Sequence, residues 1–386
     1  MIYSQEELIE KAVLYFKRGD FSLGYRTLLD AALNTDSEEI YIKVLNFVTH
    51  YEKESSEDKS PLLYLFENCV SEIKKIHIES GGLLGKTILK AENITKNYNN
   101  NRFVLGPVNV ELKRGDIFGL VGENGNGKTT LLTILASLVE ESSGSLSYSF
   151  LIENKDKYDL LSKLVYIPQR TPVWYGKVLD NLKFTLVHHG VKGKKNNLLV
   201  LMMVARFGLW KYKDLKWSEL SSGYKMRFEL ARTMLRRPEI ILLDEPLANL
   251  DILAQQVILE DLRMISKSPV NPIAMVFSSQ QLYEVEKISD EVIYLRNGKP
   301  SADLNLEAEE KNKLIVEIDT KNSRDEIVMV FNNNQLEKLE FNGGVYILYF
   351  KEGFSFNDCL AAISKNNFSL QYIRDISKST RRFFVY

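Results

Sequence analysis

The sequence predicts an α/β core domain flanked by an all-α N-terminal domain and an α+β C-terminal domain. Residues 4–73 place apolar side chains at helical spacing, β-branched segments alternate with helical patterns up to Gly298, and residues 314–386 predict strands and helices in the order βαββαβ. The chain has 386 residues, 45% of them hydrophobic, which suffices for more than one core. The expected domains are residues 1–82, 88–300 and 306–386.

The N-terminal domain is predicted to consist of helices. Ser4 and Glu7 have the spacing of a capping box, and apolar stripes follow at 21–32, 40–51 and 62–73. The first helix pair is similar to one tetratricopeptide-type unit, and a generic helical cap is an equal alternative. A lone hairpin of this kind needs neighbours, so we expect it to pack on other helices, on the next domain or on a protein partner.

A glycine-rich loop joins the apolar run Ile117–Val121 to a helical stretch and matches the pattern G-x-x-x-x-G-K-S/T. Glycines let the backbone N–H groups turn inward around phosphate, Lys128 adds a cation, and Thr129 offers a hydroxyl to Mg²⁺. The loop therefore predicts binding of ATP or GTP, against the alternative of a plain strand-to-helix turn. The predicted binding residues are Gly122, Glu123, Asn124, Gly125, Asn126, Gly127, Lys128, Thr129 and Thr130.

Two adjacent acids end the apolar segment at 240–243 and are followed by Pro246. If that strand lies beside the strand that precedes the glycine loop, Asp244 comes near Mg²⁺ and Glu245 faces the γ-phosphate, where it can align and polarise a water. The alternative is that both acids only finish an edge strand and cap the next turn.

The C-terminal domain is predicted to be a ferredoxin-like sheet with one helical face. Ser355 and Asp358 cap its second helix. The predicted strands are residues 314–318, 336–341, 345–350 and 383–386, and the predicted helices are residues 324–331 and 356–365.

Composition narrows the function. Fifty basic and fifty-one acidic residues nearly cancel, so we expect no nucleic-acid partner. Cys69 and Cys359 lie far apart and form neither a disulfide framework nor a zinc pattern, which suits a reducing compartment. Apolar runs such as Leu198–Ala205 are shorter than the roughly twenty residues that span a bilayer, and the acidic N-terminus lacks an apolar signal core. We therefore expect a cytoplasmic protein.

The segment Leu220-Ser221-Ser222-Gly223-Tyr224, followed by a helical stretch, resembles the signature sequence of ATP-binding cassette (ABC) proteins. The other motifs of that family occur in the same order: Tyr98 at the adenine-stacking position, the Walker A loop at 122–129, Gln169 as the Q-loop, Walker B at 240–245 and the D-loop at 248–251. This resemblance implies a P-loop NTPase core of the ABC-ATPase type with a helical subdomain.

The resemblance also implies a role for each motif residue. Ser221, Ser222 and Gly223 bind the phosphate of an ATP held by the opposite subunit, so two copies sandwich two ATP molecules head to tail, most simply as a homodimer. Tyr98 stacks on adenine or is ordinary surface, and Gln169 reaches Mg²⁺ or the attacking water or is a solvated loop residue. The expected catalytic residues are Glu245, Gln169 and Gln280, the expected Mg²⁺ ligands are Thr129, Gln169 and Asp244, and Asp251 joins the nucleotide-binding set.

Three positions depart from the family pattern. Ser222 replaces the first glycine of the signature, where its Cβ crowds the γ-phosphate, and Tyr224 replaces the usual glutamine. Gln280 stands where the family has histidine, and an amide cannot take up a proton near neutral pH. We expect slow hydrolysis, against the alternative that Gln280 fills the same hydrogen-bonding role with little loss.

The single cassette and its C-terminal domain resemble the ATP-binding subunits of bacterial exporters with an ABC-2 type membrane partner. This implies a separate transmembrane permease, with the chain held peripherally on the inner face of the cell membrane. Trp174 and Tyr175 line the permease groove at 169–181 or pack within the helical subdomain. The alternative function is a soluble ATPase that acts as a regulatory or assembly switch through a protein partner of residues 1–82.

Overall fold

The computed structural model describes residues 4–78, 83–98, 103–151, 157–300, 313–342, 344–366 and 368–377. The chain divides into two compact units. The first contains residues 1–280 and 287–299, and the second contains residues 281–286 and 300–386. The N-terminal helices therefore belong to the same unit as the α/β core. The domain boundaries expected at residues 82 and 306 fall on residues outside the described ones and stay predictions.

The N-terminal part consists of helices packed around aromatic side chains. They are α1 (Gln5–Lys17), α2 (Phe21–Leu33), α3 (Glu38–Lys53) and α4 (Leu63–Lys74). The capping box is formed, since the Ser4 side chain accepts from the Glu7 N–H and the Glu7 side chain from the Ser4 N–H. Phe16, Phe47 and Phe66 are buried, with the rings of Phe16 and Phe66 stacked at 4.3 Å between centroids.

Two sheets build the core of the first unit. A three-stranded antiparallel sheet has the order β2-β1-β4, from β1 (Thr87–Tyr98), β2 (Phe103–Lys113) and β4 (Ser143–Tyr148). A six-stranded sheet has the order β5-β6-β7-β3-β8-β9, from β3 (Ile117–Val121), β5 (Leu164–Ile167), β6 (Ile240–Leu243), β7 (Ala274–Ser279), β8 (Glu291–Arg296) and β9 (Lys299–Pro300). From β5 to β8 its neighbours are parallel, so their carboxyl ends meet at one edge.

The sheet order corrects one expectation from the sequence. Strand β6, which ends at the acidic pair, is not adjacent to β3, because β7 lies between them. Strands β3 and β6 still end at the same edge of the sheet, which is the condition that the site requires.

Helices surround this core: α5 (Lys128–Leu135), α6 (Lys157–Lys163), α7 (Val178–His188), α8 (Gly193–Arg206), α9 (Ser222–Leu235) and α10 (Ile252–Ser266). Helix α11 (Leu282–Ile288) has residues in both units. Helices α7, α8 and α9 pack on one another as a helical subdomain, and α2 and α3 pack on α8. The guanidinium of Arg206 joins these parts, because its Nε donates to Asp30 on α2 at 2.5 Å and its Nη1 to Asp261 on α10 at 2.6 Å.

The second unit has the predicted order of elements: β10 (Ile315–Thr320), α12 (Arg324–Gln335), β11 (Leu336–Asn342), β12 (Val345–Phe350), α13 (Phe356–Lys365) and β13 (Leu370–Asp375). Its antiparallel sheet has the order β11-β12-β10-β13, the ferredoxin-like arrangement, and the capping box of Ser355 and Asp358 is formed. The fourth strand comes earlier than expected, at Leu370–Asp375. The segment 383–386 lies outside the described residues.

Candidate nucleotide site

The glycine loop follows directly from the buried strand β3 and ends at the first turn of α5. Gly125 and Gly127 have φ angles of 85° and 96°, a region that side chains with a Cβ rarely occupy. A Cβ on Gly122 would lie 2.5 Å from the carbonyl oxygen of Leu295. The predicted glycine positions are therefore required by backbone conformation and by close packing.

Lys128 lies inside the loop and is only 5% exposed. Its Nζ donates to the carbonyl oxygens of Gly122 at 2.6 Å and Glu123 at 3.2 Å. The side chain of Asn126 braces the loop by accepting from the Asn297 N–H at 2.9 Å. A buried cation at the N-terminus of a helix is an arrangement suited to binding phosphate. Thr130 follows in the first turn of α5.

Thr129 and Asp244 meet although they are far apart in sequence. The Thr129 hydroxyl donates to Asp244 Oδ2 at 2.7 Å, and Asp244 is 4% exposed. The Tyr166 hydroxyl lies 3.3 Å from the same oxygen, and burial together with the Asp244 charge raises the pKa of Tyr166 above its ordinary value. Tyr166 is therefore a neutral donor at this carboxylate.

The carboxylate of Glu245 is held by three side-chain donors. Lys128 Nζ lies 3.1 Å from Oε1, while the amide nitrogens of Gln169 and Gln280 donate to Oε2 at 3.0 and 2.9 Å. Gln280 also donates to Asn124 Oδ1 at 2.9 Å, so it links the loop to Glu245. Of the predicted catalytic set, Gln169 and Gln280 thus both contact Glu245 directly.

Ser278 on β7 connects the two acids, and the sequence analysis did not identify it. Its hydroxyl donates to Asp244 Oδ1 at 2.9 Å and accepts from the Glu245 N–H at 2.9 Å, and the residue is fully buried. Glu245 has a φ of 45°, an uncommon backbone conformation that this bond helps to hold. The available signal was a pair of serines at the end of an otherwise apolar strand.

The signature segment lies at a second place. Ser221 precedes α9, the hydroxyl of Ser222 donates to the Asn249 carbonyl at 3.0 Å, and Gly223 lies in the first turn. Asp251 caps α10 by accepting from the Ala254 N–H at 2.8 Å. Within the described residues, no hydrogen bond or ion pair joins Ser221, Ser222, Gly223 or Asp251 to the glycine loop.

The remaining aromatic candidates differ in environment. Tyr98 is 37% exposed at the end of β1, with its ring centroid 6.5 Å from that of Phe103 and 5.5 Å from Lys96 Nζ, which lies over the ring. Trp174 packs within the helical subdomain, because its Nε1 donates to Glu229 at 2.9 Å and its ring meets Phe228 edge-on. Tyr175 is 88% exposed.

Among the residues that the structure describes, no group of three or more His, Cys, Asp or Glu side chains could hold a metal ion. No described helix combines the length and the apolar character needed to cross a membrane.

Comparisons with known proteins agree with this geometry. A family model described as ABC transporter matches residues 105–248. An uncharacterized ABC transporter ATP-binding protein of Methanocaldococcus jannaschii is 32% identical over 215 residues, covering 55% of this chain and 76% of that protein. The phosphate import ATP-binding protein PstB of Saccharolobus solfataricus is 31% identical over 215 residues, covering 52% of this chain and 82% of that protein.

A solved structure shows the same fold. The structure is that of cbiO1 from Clostridium perfringens, part of the ABC transporter complex cbiONQ. It matches with a TM-score of 0.51 and 24% identity, covering 55% of this chain and 86% of that chain.

Proposed function

The chain belongs to the family of ABC transporter ATP-binding proteins, and from this premise we propose that it hydrolyses ATP slowly between two copies of itself to drive an exporter. Membership of the family makes it an ATP-binding subunit and an ATPase. The observation that carries the proposal is the convergence of Lys128 and Thr129 with Asp244 and Glu245 at one edge of the parallel sheet.

In the proposed reaction, the N–H groups of the loop bind the β- and γ-phosphates, and Lys128 turns from Glu245 to the phosphate oxygens. Gln169 and Gln280 continue to hold Glu245, which aligns a water molecule and takes its proton as the water oxygen attacks phosphorus. The bond between the γ-phosphorus and the bridging oxygen breaks, and ADP and phosphate leave.

The oxygen atoms at and around Asp244 fit Mg²⁺, which prefers oxygen ligands and keeps several waters and phosphate oxygens in its coordination shell. Thr129 and Asp244 would supply a hydroxyl and a carboxylate, and the amide oxygen of Gln169 is the third proposed ligand. When bound, the ion neutralises phosphate charge.

Gln280 is the proposed reason for slow turnover. It keeps the hydrogen bonds to Glu245 and Asn124 but cannot accept a proton as imidazole does. Replacing Gln280 by histidine is expected to raise kcat by about tenfold or more, since proton transfer by a positioned side chain contributes at least that much. Steady-state phosphate release measures this. Gln335→His, at an exposed position in the second unit, is the matched control.

Glu245→Gln is expected to abolish turnover while two copies still associate in the presence of ATP, as measured by gel filtration. Two results would count against the proposal: an unchanged kcat in Gln280→His, or a chain that stays monomeric in Glu245→Gln with ATP. The dimer is supported by the position of Ser221, Ser222 and Gly223 at the start of α9, where, within the described residues, they form no hydrogen bond or ion pair with the glycine loop of their own chain.

The proposed partner is a separate transmembrane permease, which would hold this chain on the inner face of the cell membrane. Support comes from family membership and from the exposed Tyr175 beside the groove at 169–181. We propose export because the ferredoxin-like second unit corresponds to the C-terminal domain by which the chain resembles the ATP-binding subunits of bacterial exporters. Co-purification of a polytopic membrane subunit with the full chain supports the transporter, whereas capture of a complex without one favours a regulatory switch that acts through residues 1–82.

A further inference from the structure

A large cavity separates the N-terminal helices from the core of the first unit. Its volume is about 1100 Å³, which is ample for a small organic ligand. Lys163, Glu239 and Ile273 line it and immediately precede β5, β6 and β7. The cavity therefore lies at the amino ends of the strands, opposite the edge that carries the candidate nucleotide site.

The cavity wall carries an excess of positive charge. Nine lysine and arginine residues line it, against four aspartate and glutamate residues. Two of those acids are each shared by two cations: Asp36 pairs with Lys195 and Arg237, and Glu239 pairs with Arg114 and Lys163. Outside the wall, Asp261 pairs with Arg206, and Asp116 and Asp290 pair with Lys267. Among the described residues, Arg236 and Arg263 form no ion pair and donate only to backbone carbonyls.

Two arginines in the wall retain unused donors. Arg206 is 2% exposed, and its Nη2 is buried without a hydrogen-bond partner in the described structure. Arg236 donates through Nη2 to the Leu161 carbonyl at 2.6 Å, while its Nε is likewise buried without a partner. No carboxylate among the described residues pairs with Arg236. Neither buried nitrogen has accessible surface that a ligand in the cavity could reach, and Arg206 is already paired with Asp30 and Asp261. The charge that is left for a ligand to balance is therefore that of Arg236.

Burial and the charge of Arg232 together lower the pKa of Arg236, which agrees with a cation that lacks its counter-ion. The rest of the wall is apolar and includes Leu33, Leu199, Met203 and Phe207. A ligand that fits this wall needs both an anionic group and an apolar body.

We propose that this cavity binds a small phosphomonoester with an apolar body, and that the N-terminal helices are part of the binding site. The planar fork of arginine matches phosphate oxygens in pairs, and α1 and α2 close the apolar side through residues such as Leu8 and Leu23. The inference is independent of the reaction proposed above, because binding here requires neither ATP nor turnover.

Hexyl phosphate is the probe, titrated by calorimetry into the full chain carrying Lys128→Ala, which removes phosphate binding at the glycine loop. We expect saturable one-to-one binding that Arg236→Met weakens at least tenfold. Arg237→Met, whose side chain is 65% exposed and whose loss does not threaten folding, is expected to weaken it in the same direction. Arg18→Met, at the exposed end of α1 and outside the cavity, is the matched control and is expected to bind normally.

Two further ligands test the chemistry. Inorganic phosphate lacks the apolar body, and heptanoate replaces phosphate by carboxylate, so both are expected to bind at least tenfold more weakly than hexyl phosphate. The proposal is overturned if hexyl phosphate does not bind saturably, or if its binding is the same in both arginine variants as in the control. Heptanoate binding as tightly as hexyl phosphate would overturn the assignment to phosphate.

Discussion

Ser278→Ala removes the hydroxyl that joins the two acids of the nucleotide site. Asp244 loses a donor at 2.9 Å, and the Glu245 N–H loses its acceptor at 2.9 Å. Because Ser278 is fully buried, water does not simply replace the lost bonds. We expect Asp244 and Glu245 to relax away from the positions that the reaction requires.

The size of the effect follows from the bonds that are lost. A hydrogen bond to an ionised group contributes about 1.5–3 kcal/mol. If that energy is spent on holding the carboxylates in place, kcat falls by about 10- to 100-fold, at about 1.4 kcal/mol for each factor of ten. Loss of a buried hydroxyl bond also lowers the free energy of unfolding, by about 1–3 kcal/mol.

Steady-state ATP hydrolysis, measured against Mg²⁺ concentration, distinguishes misplacement of the Asp244 and Glu245 carboxylates from a general loss of fold stability. Ser266 provides the matched control, because it is also fully buried and its hydroxyl donates to the Gly115 carbonyl at 2.8 Å, before the start of β3. Both alanine variants are expected to unfold at lower urea concentration. Only Ser278→Ala is expected to lose kcat and to need more Mg²⁺ for half-maximal turnover, and Ser278→Thr is expected to restore part of both.

The reasoning is refuted if Ser278→Ala and Ser266→Ala lose the same fraction of kcat. It is equally refuted if Ser278→Ala keeps the wild-type Mg²⁺ dependence while losing stability. Either result would mean that the hydroxyl contributes only to packing.

Three other predictions follow from the contacts. Arg206→Met removes the ion pairs to Asp30 and to the buried Asp261, which keeps Arg26, and is expected to lower the free energy of unfolding by about 1.5–3 kcal/mol in urea denaturation, an expectation that a loss below about 1 kcal/mol would contradict. Burial raises the pKa of Asp36, but the hydrogen bond from Arg237 and nearby positive charge lower it more, so its net pKa lies below the ordinary value. The contribution of ionised Asp36 to the free energy of unfolding is therefore complete above about pH 4 and is lost as pH falls through the lowered pKa. Asp36→Asn is expected to make the free energy of unfolding, measured against pH, fall less steeply on the acid side. Tyr98→Ala is expected to weaken ATP binding by about 1–3 kcal/mol in equilibrium titration, and unchanged affinity would rule out stacking.

Local patterns predicted much of the fold. The phosphate loop was predictable because its glycines are needed for backbone geometry, as the φ angles of Gly125 and Gly127 illustrate. Capping boxes at Ser4 and Ser355 marked helix starts, because their bonds join residues three apart.

Long-range arrangement was less predictable. Strand β7 lies between β3 and β6, and apolar periodicity does not encode this order because it reports only the local burial of side chains. Local patterns do not mark Arg206, since its partners Asp30 and Asp261 are distant in sequence. Ser278 was missed for the same reason.

The bonds of Arg206 have a consequence for recombination between relatives. Its guanidinium joins α2, α8 and α10, so the first helices cannot be transplanted onto another cassette as a freestanding module. A chimera would have to carry a cation at position 206 and a carboxylate at position 261 together with the graft, because α2 brings Asp30 and Arg26, which pair with those two positions. We therefore expect that relatives exchange these N-terminal helices only together with α8 and α10, as a single inherited block.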